Sequence, residues 1–122
     1  MNNKPKYTLF KNTSYAIDGF IQAIKTETSF KLEVIIAFII LPIIYFLPFE
    51  LIYKLVLIIT YFMIMIAELL NSAVENVVDL VTTDIHPLAK SAKDIGATAV
   101  LFTVILHIVC WVLIGFDYFN ID

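Results

Sequence analysis

Arginine is missing from this sequence: all eight basic residues are lysines. The planar fork that grips phosphate or carboxylate at two points is therefore absent. A formal net charge of −3, with no basic stretch interleaved with aromatics, leaves no footprint of a nucleic-acid partner. Glycine is nearly as scarce, since Gly19, Gly96 and Gly115 are the only three. Three scattered glycines exclude a Gly-rich phosphate loop and a Walker-type nucleotide site. Two widely separated histidines, His86 and His107, and one cysteine, Cys110, exclude a standard zinc site. Cys110 has no partner for an internal disulfide and sits in the last apolar segment, where a thiol serves as packing. Residues 1–33 are polar and amphipathic rather than signal-like, so the chain is expected to be held by its own helices and not exported.

What the sequence has in excess is apolar surface. It is 61% hydrophobic and only 16% charged over 122 residues, one domain by length. A soluble domain this small has too much surface for its volume to hide such a composition. Lipid is the solvent that fits. The expected fold is all-α, with three transmembrane helices and an N-terminal amphipathic surface helix in an oligomeric helical bundle. Oligomerisation is expected because three helices scarcely enclose a polar site.

Residues 1–6 read as a short disordered lead. Over about 7–25, Leu9, Phe10, Ala16, Ile17, Phe20, Ile21 and Ile24 recur at helical spacing, with Lys11, Asp18, Gln22 and Lys25 between them. That pattern suits a helix lying in the membrane surface. The first span, about 28–48, is uncharged from Val34 to Phe49; Pro42 falls inside it and Pro48 marks the turn. The second, about 51–81, is uncharged from Leu55 to Ala67 and continues without proline or glycine into ELLNSAVENVVDLV. A polar loop from Thr82 to Pro87 precedes the third span, about 89–116. With the N-terminus in the cytoplasm, Lys4, Lys6, Lys11, Lys25, Lys31, Lys90 and Lys93 lie inside and only Lys54 outside, as the positive-inside rule requires. Tyr53, Trp111, Phe116, Tyr118 and Phe119 then fall near the outer interface.

Chemistry concentrates where the second span leaves the membrane. At about 100° per residue, Glu68, Asn71, Ser72, Glu75 and Asp79 share one narrow face, with Glu68 and Glu75 roughly 10 Å apart along the axis. Such a stripe can be helix–helix glue or the wet face of an emerging helix. Three carboxylates on one line nevertheless repel unless cations, lysines or protons intervene. Ionisable groups at membrane depth mark a functional site. Glu27 and Glu33 bracket the start of the first span; six residues apart on one helix, they are expected to point different ways. Lys90 and Lys93 form a small cationic pair at the start of the third helix, beside Asp94. Acids for a metal and lysines for anionic oxygens suit phosphoryl transfer, in which positioning and charge neutralisation do most of the work. His86 stands in the loop, and His107, deep in the third span, is expected to hydrogen-bond between helices. A non-enzymatic reading remains, with the stripe as the lining of an ion path.

Glu68-Leu-Leu-Asn-Ser-Ala-Val-Glu75-Asn-Val-Val-Asp79, followed by Ala92-Lys93-Asp94-Ile-Gly96-Ala-Thr-Ala-Val, resembles the signature of the prokaryotic diacylglycerol kinase family. The likeness extends upstream through Tyr15, Gly19 and Thr26-Glu27-Thr-Ser-Phe30-Lys-Leu-Glu33. It implies a homotrimeric bacterial inner-membrane enzyme, multi-pass with a cytoplasmic N-terminus, that moves the γ-phosphate of ATP to a lipid hydroxyl with Mg²⁺. By motif position, Glu68 would be the general base with Asn71 beside it. Glu27 and Glu75 would hold the metal, and Lys93 would neutralise phosphate charge. Tyr15, Asp79, Asp84, His86 and Asp94 would lie near the nucleotide. The lipid would meet Glu68, Ser29, Phe30, Glu33, Ala97 and Trp111. Diacylglycerol is the expected acceptor, with undecaprenol as the alternative, because Thr83-Asp84-Ile85-His86-Pro87-Leu88-Ala89-Lys90 resembles the undecaprenol kinase branch as much. Thr8 stands where the family carries an N-terminal arginine, so Lys6 or Lys11 would have to substitute without a two-point contact.

Overall fold

A computed structural model describes residues 8–119, and these form four α-helices with no strand among them. The expected lead at 1–6, and with it Lys4 and Lys6, lies outside the described residues.

Helix α1 (Leu9–Thr26) is capped by Thr8, whose hydroxyl accepts the Lys11 N–H at 3.2 Å. A single extended residue, Glu27 (φ −111°, ψ 102°), ends α1 and serves as N-cap to α2 (Thr28–Phe46). Its own N–H still bonds back to Ala23 O at 2.9 Å, and its carbonyl accepts Lys31 N–H at 3.0 Å. One residue thus turns a surface helix into a spanning one. Pro42 lies within α2 and removes one donor from its ladder, a defect that packing against neighbouring helices can absorb in a membrane. The helix stops at Phe46, short of the expected end near 48, because Leu47 precedes Pro48 and adopts the extended backbone such a position favours (φ −66°, ψ 147°).

Helix α3 (Leu51–Val81) has 31 residues, about 46 Å at 1.5 Å per residue. A hydrocarbon core of about 30 Å leaves its final turns outside. Thr82 closes α3 and its hydroxyl accepts the Asp84 N–H at 3.0 Å. Helix α4 (Pro87–Tyr118) begins earlier than the expected start near Ala89. His86 supplies the reason: its Nδ1 accepts the Leu88 N–H at 3.1 Å, and Pro87 fills a first-turn position that needs no donor.

Helices α2, α3 and α4 are each long and apolar enough to cross a membrane. The protein is a membrane protein with the all-α, three-span architecture that its composition demands. α3 is central: 33% of its apolar stretch is buried, against 11% for α2 and for α4. It packs on α4 along most of its length, and α2 lies against α3 with α1 against α2. One core cluster joins Ala23, Phe30, Ala37, Tyr61, Ile64 and Met65; a second, towards the other end, joins Ile44, Leu57 and Ile114. Outside these clusters large side chains face outward, among them Phe38, Phe46 and Phe102. Only lipid or sister chains can cover such a surface.

Between α3 and α4 the interior holds a polar junction. Trp111 Nε1–H donates to His107 Nε2 at 2.9 Å. The accepting nitrogen carries no proton, so the neutral ring places its proton on Nδ1, which faces Thr60 Oγ1 at 2.7 Å. Thr60 in turn donates to Val56 O at 2.8 Å. Every donor has an acceptor, and α3 is stitched to α4 as expected for His107. Thr60→Val should leave the His107 Nδ1–H buried without a partner and lower stability by about 1 kcal/mol. Thermal unfolding of both proteins in the same detergent checks this, and an unchanged midpoint would show that His107 has found another acceptor.

Candidate active site

The level of the carboxylates follows from helix length. Counting about 20 residues inward from Leu51 brings the membrane boundary close to Asn71. Glu68 sits just inside it, and Glu75 and Asp79 lie on the turns that emerge. Asn71 and Ser72 are buried between helices, 8% and 7% exposed, whereas Glu68 and Glu75 are half-buried and Asp79 is exposed.

Asn71 Nδ2 donates to Glu75 Oε1 at 3.0 Å, one turn along α3, and so fixes one oxygen of that carboxylate. Asn71 Oδ1 is buried and has no hydrogen-bond partner among the described residues. It presses against Gly96 of α4: a Cβ built on Gly96 would overlap Oδ1 and lie 3.2 Å from Cγ. Glycine is required here by close approach, not by backbone angle. Ala97, the next residue on α4, is exposed.

Glu27 and Glu33 do not diverge as expected for two residues on one helix. Glu27 stands in the extended break, off the helix, and both carboxyls come within electrostatic reach of Glu68. The Glu33 and Glu68 carboxyls are neighbours, and Glu33 Oε1 is buried without a hydrogen-bond partner among the described residues. Glu75 is also within electrostatic reach of Glu68. Glu27, Glu33 and Glu75 therefore all lie within electrostatic reach of Glu68, although among the described residues no three such groups stand close enough to hold one ion. Side by side, such groups need a shared proton or a cation between them.

Each lysine of the cationic pair holds an acid. Lys93 Nζ bonds Asp79 Oδ1 at 2.7 Å, bridging α4 to α3 and lying close enough to Glu75 to feel its charge. Lys90 Nζ bonds Asp94 at 2.5 Å, an exposed pair one turn apart. With Thr83, Asp84 and His86, these groups line an open cleft of about 320 Å³. A second cleft, about 530 Å³, lies between α1 and α3 and is lined by Gly19, Phe20, Glu27, Leu69 and Ser72. An apolar groove of about 560 Å³, with Phe20, Val34, Phe38, Phe62 and Met65 in its walls, runs down the adjoining span.

Other predicted site residues fall elsewhere. Tyr15 is half exposed on α1 and lines neither polar cleft, and Ser29 is exposed on the first turn of α2. Phe30 is core, 2% exposed and edge-on to Phe20 at 5.7 Å, so it supports a wall instead of facing a ligand. Trp111 belongs to the far cluster around Leu57 and is engaged with His107. Leu57 and Glu68 are about 16 Å apart along α3, so within one chain Trp111 does not meet the carboxyls. The small residues of Ala92-Lys-Asp-Ile-Gly96-Ala-Thr-Ala imply close helix approach from the sequence alone; that the group meeting Gly96 is Asn71 has no signal there.

Fold and site together define a three-span membrane protein with a convergent acidic centre and lysines beside it. The chain belongs to the prokaryotic diacylglycerol kinase family, whose sequence profile matches residues 14–115. It is 37% identical to the diacylglycerol kinase of Haemophilus influenzae over 84% of this chain and 87% of that protein. Against the diacylglycerol kinase of Pseudomonas aeruginosa the identity is 33%, over 84% and 83% of the two chains. Against that of Escherichia coli strain K12 it is 32% over 98% of both. By family, the protein is an enzyme, a lipid kinase.

Gly96→Ala should drive Asn71 from its seat and lower both thermal stability and turnover at least severalfold, since even small overpacking strains a close contact. Adding Asn71→Ala removes the overlapping oxygen, so the double variant should regain stability without regaining turnover. Stability additive in the two changes would mean that they do not meet.

Proposed function

We propose that the protein transfers the γ-phosphoryl group of ATP to diacylglycerol, forming phosphatidic acid at the cytoplasmic face of the bacterial inner membrane. The observation that carries the reading is the convergence of Glu27, Glu33, Glu68 and Glu75 at the depth where α3 leaves the bilayer, in a chain of this family. There a lipid hydroxyl and a water-borne nucleotide can meet.

Glu68, just inside the boundary, takes the proton of the lipid hydroxyl as its oxygen attacks the γ-phosphorus. The bond to the bridging oxygen breaks and ADP leaves with that oxygen. Asn71 holds the neighbouring Glu75 in place. Glu27 and Glu75 would hold Mg²⁺, and the donor set fits: Mg²⁺ takes one or two carboxylates and completes its shell with phosphate and water. When bound, the ion would offset phosphate charge. Lys93, released from Asp79 or shared with it, does the same from α4. Asp79, Asp84, His86 and Asp94 edge the cleft proposed for the nucleotide; Tyr15, outside that cleft within one chain, would reach a nucleotide only across a chain boundary. The apolar groove beside Phe20 and Phe62 suits an acyl chain, and Ser29, Glu33 and Ala97 would border the headgroup. The homotrimer that the family resemblance implies would let neighbouring chains complete these open clefts. The N-terminus is placed in the cytoplasm on the lysine distribution.

Undecaprenol is the alternative acceptor at the same site, favoured by the sequence of the loop from Thr83 to Lys90. Purified protein should transfer phosphate from ATP to diacylglycerol faster than to undecaprenol, with dependence on Mg²⁺; the reverse preference would reassign the acceptor, and no transfer to either would reject the reading. Glu68→Gln should lose on the order of 10²–10⁴-fold in kcat, the usual worth of a general base, with ATP affinity retained. Glu75→Gln should weaken Mg·ATP binding as well, and unchanged affinity would remove it from the metal. Lys93→Ala should raise KM for ATP more than KM for lipid; the opposite split counts against its phosphate role.

A further inference from the structure

Tyr61 stands in the middle of α3, 5% exposed, and no part of the proposed chemistry uses it. Its hydroxyl donates to the backbone carbonyl of Glu33 on α2. Its ring meets the His107 ring of α4 edge-on, with centroids 5.6 Å apart. His107 is itself fixed by Thr60 and Trp111. One side chain therefore ties α2 to α4 through α3, and the α2 residue it grips is the one whose carboxyl lies beside Glu68.

A ring alone would satisfy packing here; a phenol adds a directional bond to one particular carbonyl. The other side-chain hydrogen bond from α3 to α2 among the described residues, Lys54 Nζ to the Tyr45 carbonyl at 2.5 Å, lies at the far end of the pair, so Tyr61 supplies the one near the acids. Without it, α2 meets α3 at this level through apolar surfaces such as Ala37 and Ile64, which permit sliding and rotation. A small rotation of α2 would swing the Glu33 carboxyl away from Glu68.

We infer that Tyr61 is a positioning residue for the phosphoryl acceptor site: seated on His107, it locks the register of α2 on α3 and thereby holds Glu33 beside Glu68. This rests on the assignment of Glu68 as base. Tyr61→Phe keeps the ring and deletes only the bond. It should lower kcat on the order of tenfold or more, as misplacement by a fraction of an ångström does, while KM for ATP stays unchanged. Tyr53→Phe is the control, since it removes a comparable hydrogen bond, to Asp117, at the other end of the bundle; it should keep wild-type kcat. His107→Ala, which removes the seat and leaves the phenol, should reproduce the kcat loss in part. Wild-type kcat in both Tyr61→Phe and His107→Ala, or an equal loss in Tyr53→Phe, would overturn the inference. Were Tyr61→Phe not to assemble, His107→Ala against Tyr53→Phe decides by the same kcat comparison. Glu68→Gln measured alongside separates the two claims: full turnover there would sink the base assignment, whereas an inactive Glu68→Gln with a fully active Tyr61→Phe and His107→Ala would sink the positioning role alone.

Discussion

Carboxyl groups gathered in low dielectric repel one another when ionised, and hydrocarbon offers no counterion. They are tolerable only at a depth where water, lysines or a cation reach them. The rest of this molecule can be traced from that requirement. α3 must be longer than the bilayer core, so that its acidic face emerges where the apolar run ends. The chain must then return at the same level, and the His86-capped, Pro87-initiated start of α4 brings Lys93 onto Asp79. The opposite approach comes through the extended residue Glu27, which ends the surface helix and adds its own carboxylate to the centre.

Elements were legible in the sequence wherever the signal was local. The uninterrupted run through ELLNSAVENVVDLV gave α3, because nothing in it breaks a helix, and the acidic stripe followed from periodicity alone. Relations between elements were much less legible. Glu27 and Glu33 seem to diverge only if both are helical, and the one extended residue that reunites them has no glycine or proline to announce it. That Lys90 and Lys93 each hold an acid, one on the next turn and one on another helix, is not visible in their spacing. The packing of Phe30 and Trp111 against neighbouring helices is hidden for a related reason. In a helix that is apolar all round, spacing does not distinguish a side chain facing the core from one facing lipid.

Two kinds of helix contact divide the labour along α3. Towards Ile44, Leu57 and Ile114 the helices meet through apolar packing, with a ring of aromatic contacts among Phe49, Trp111 and Tyr118. Hydrocarbon is as apolar as these side chains, so association there depends on close fit and not on escape from water. Towards Asn71 the contacts become polar and tight: Gly96 lets α4 approach until an amide oxygen fills the space where a Cβ would stand. Polar groups buried at such a place tolerate few alternative arrangements, since a lost partner costs more than the bond itself contributes.

Rigidity of that kind replaces the devices this sequence lacks. A Gly-rich loop cradles phosphates with backbone N–H groups, and an arginine fork holds them at two points. Neither is present, so in the proposed site anionic oxygens would be met by lysines and by a cation held on carboxylates. Both are point charges with little directional preference. Direction must then come from the scaffold: from Asn71 holding one oxygen of Glu75, from Asp79 orienting Lys93, and from the interlocked helices behind them. A site built from non-directional charges on helices is accurate only while helix register is accurate. Beside the acids that register is held by the contacts of Asn71 with Glu75 and Gly96 and of Tyr61 with the Glu33 carbonyl.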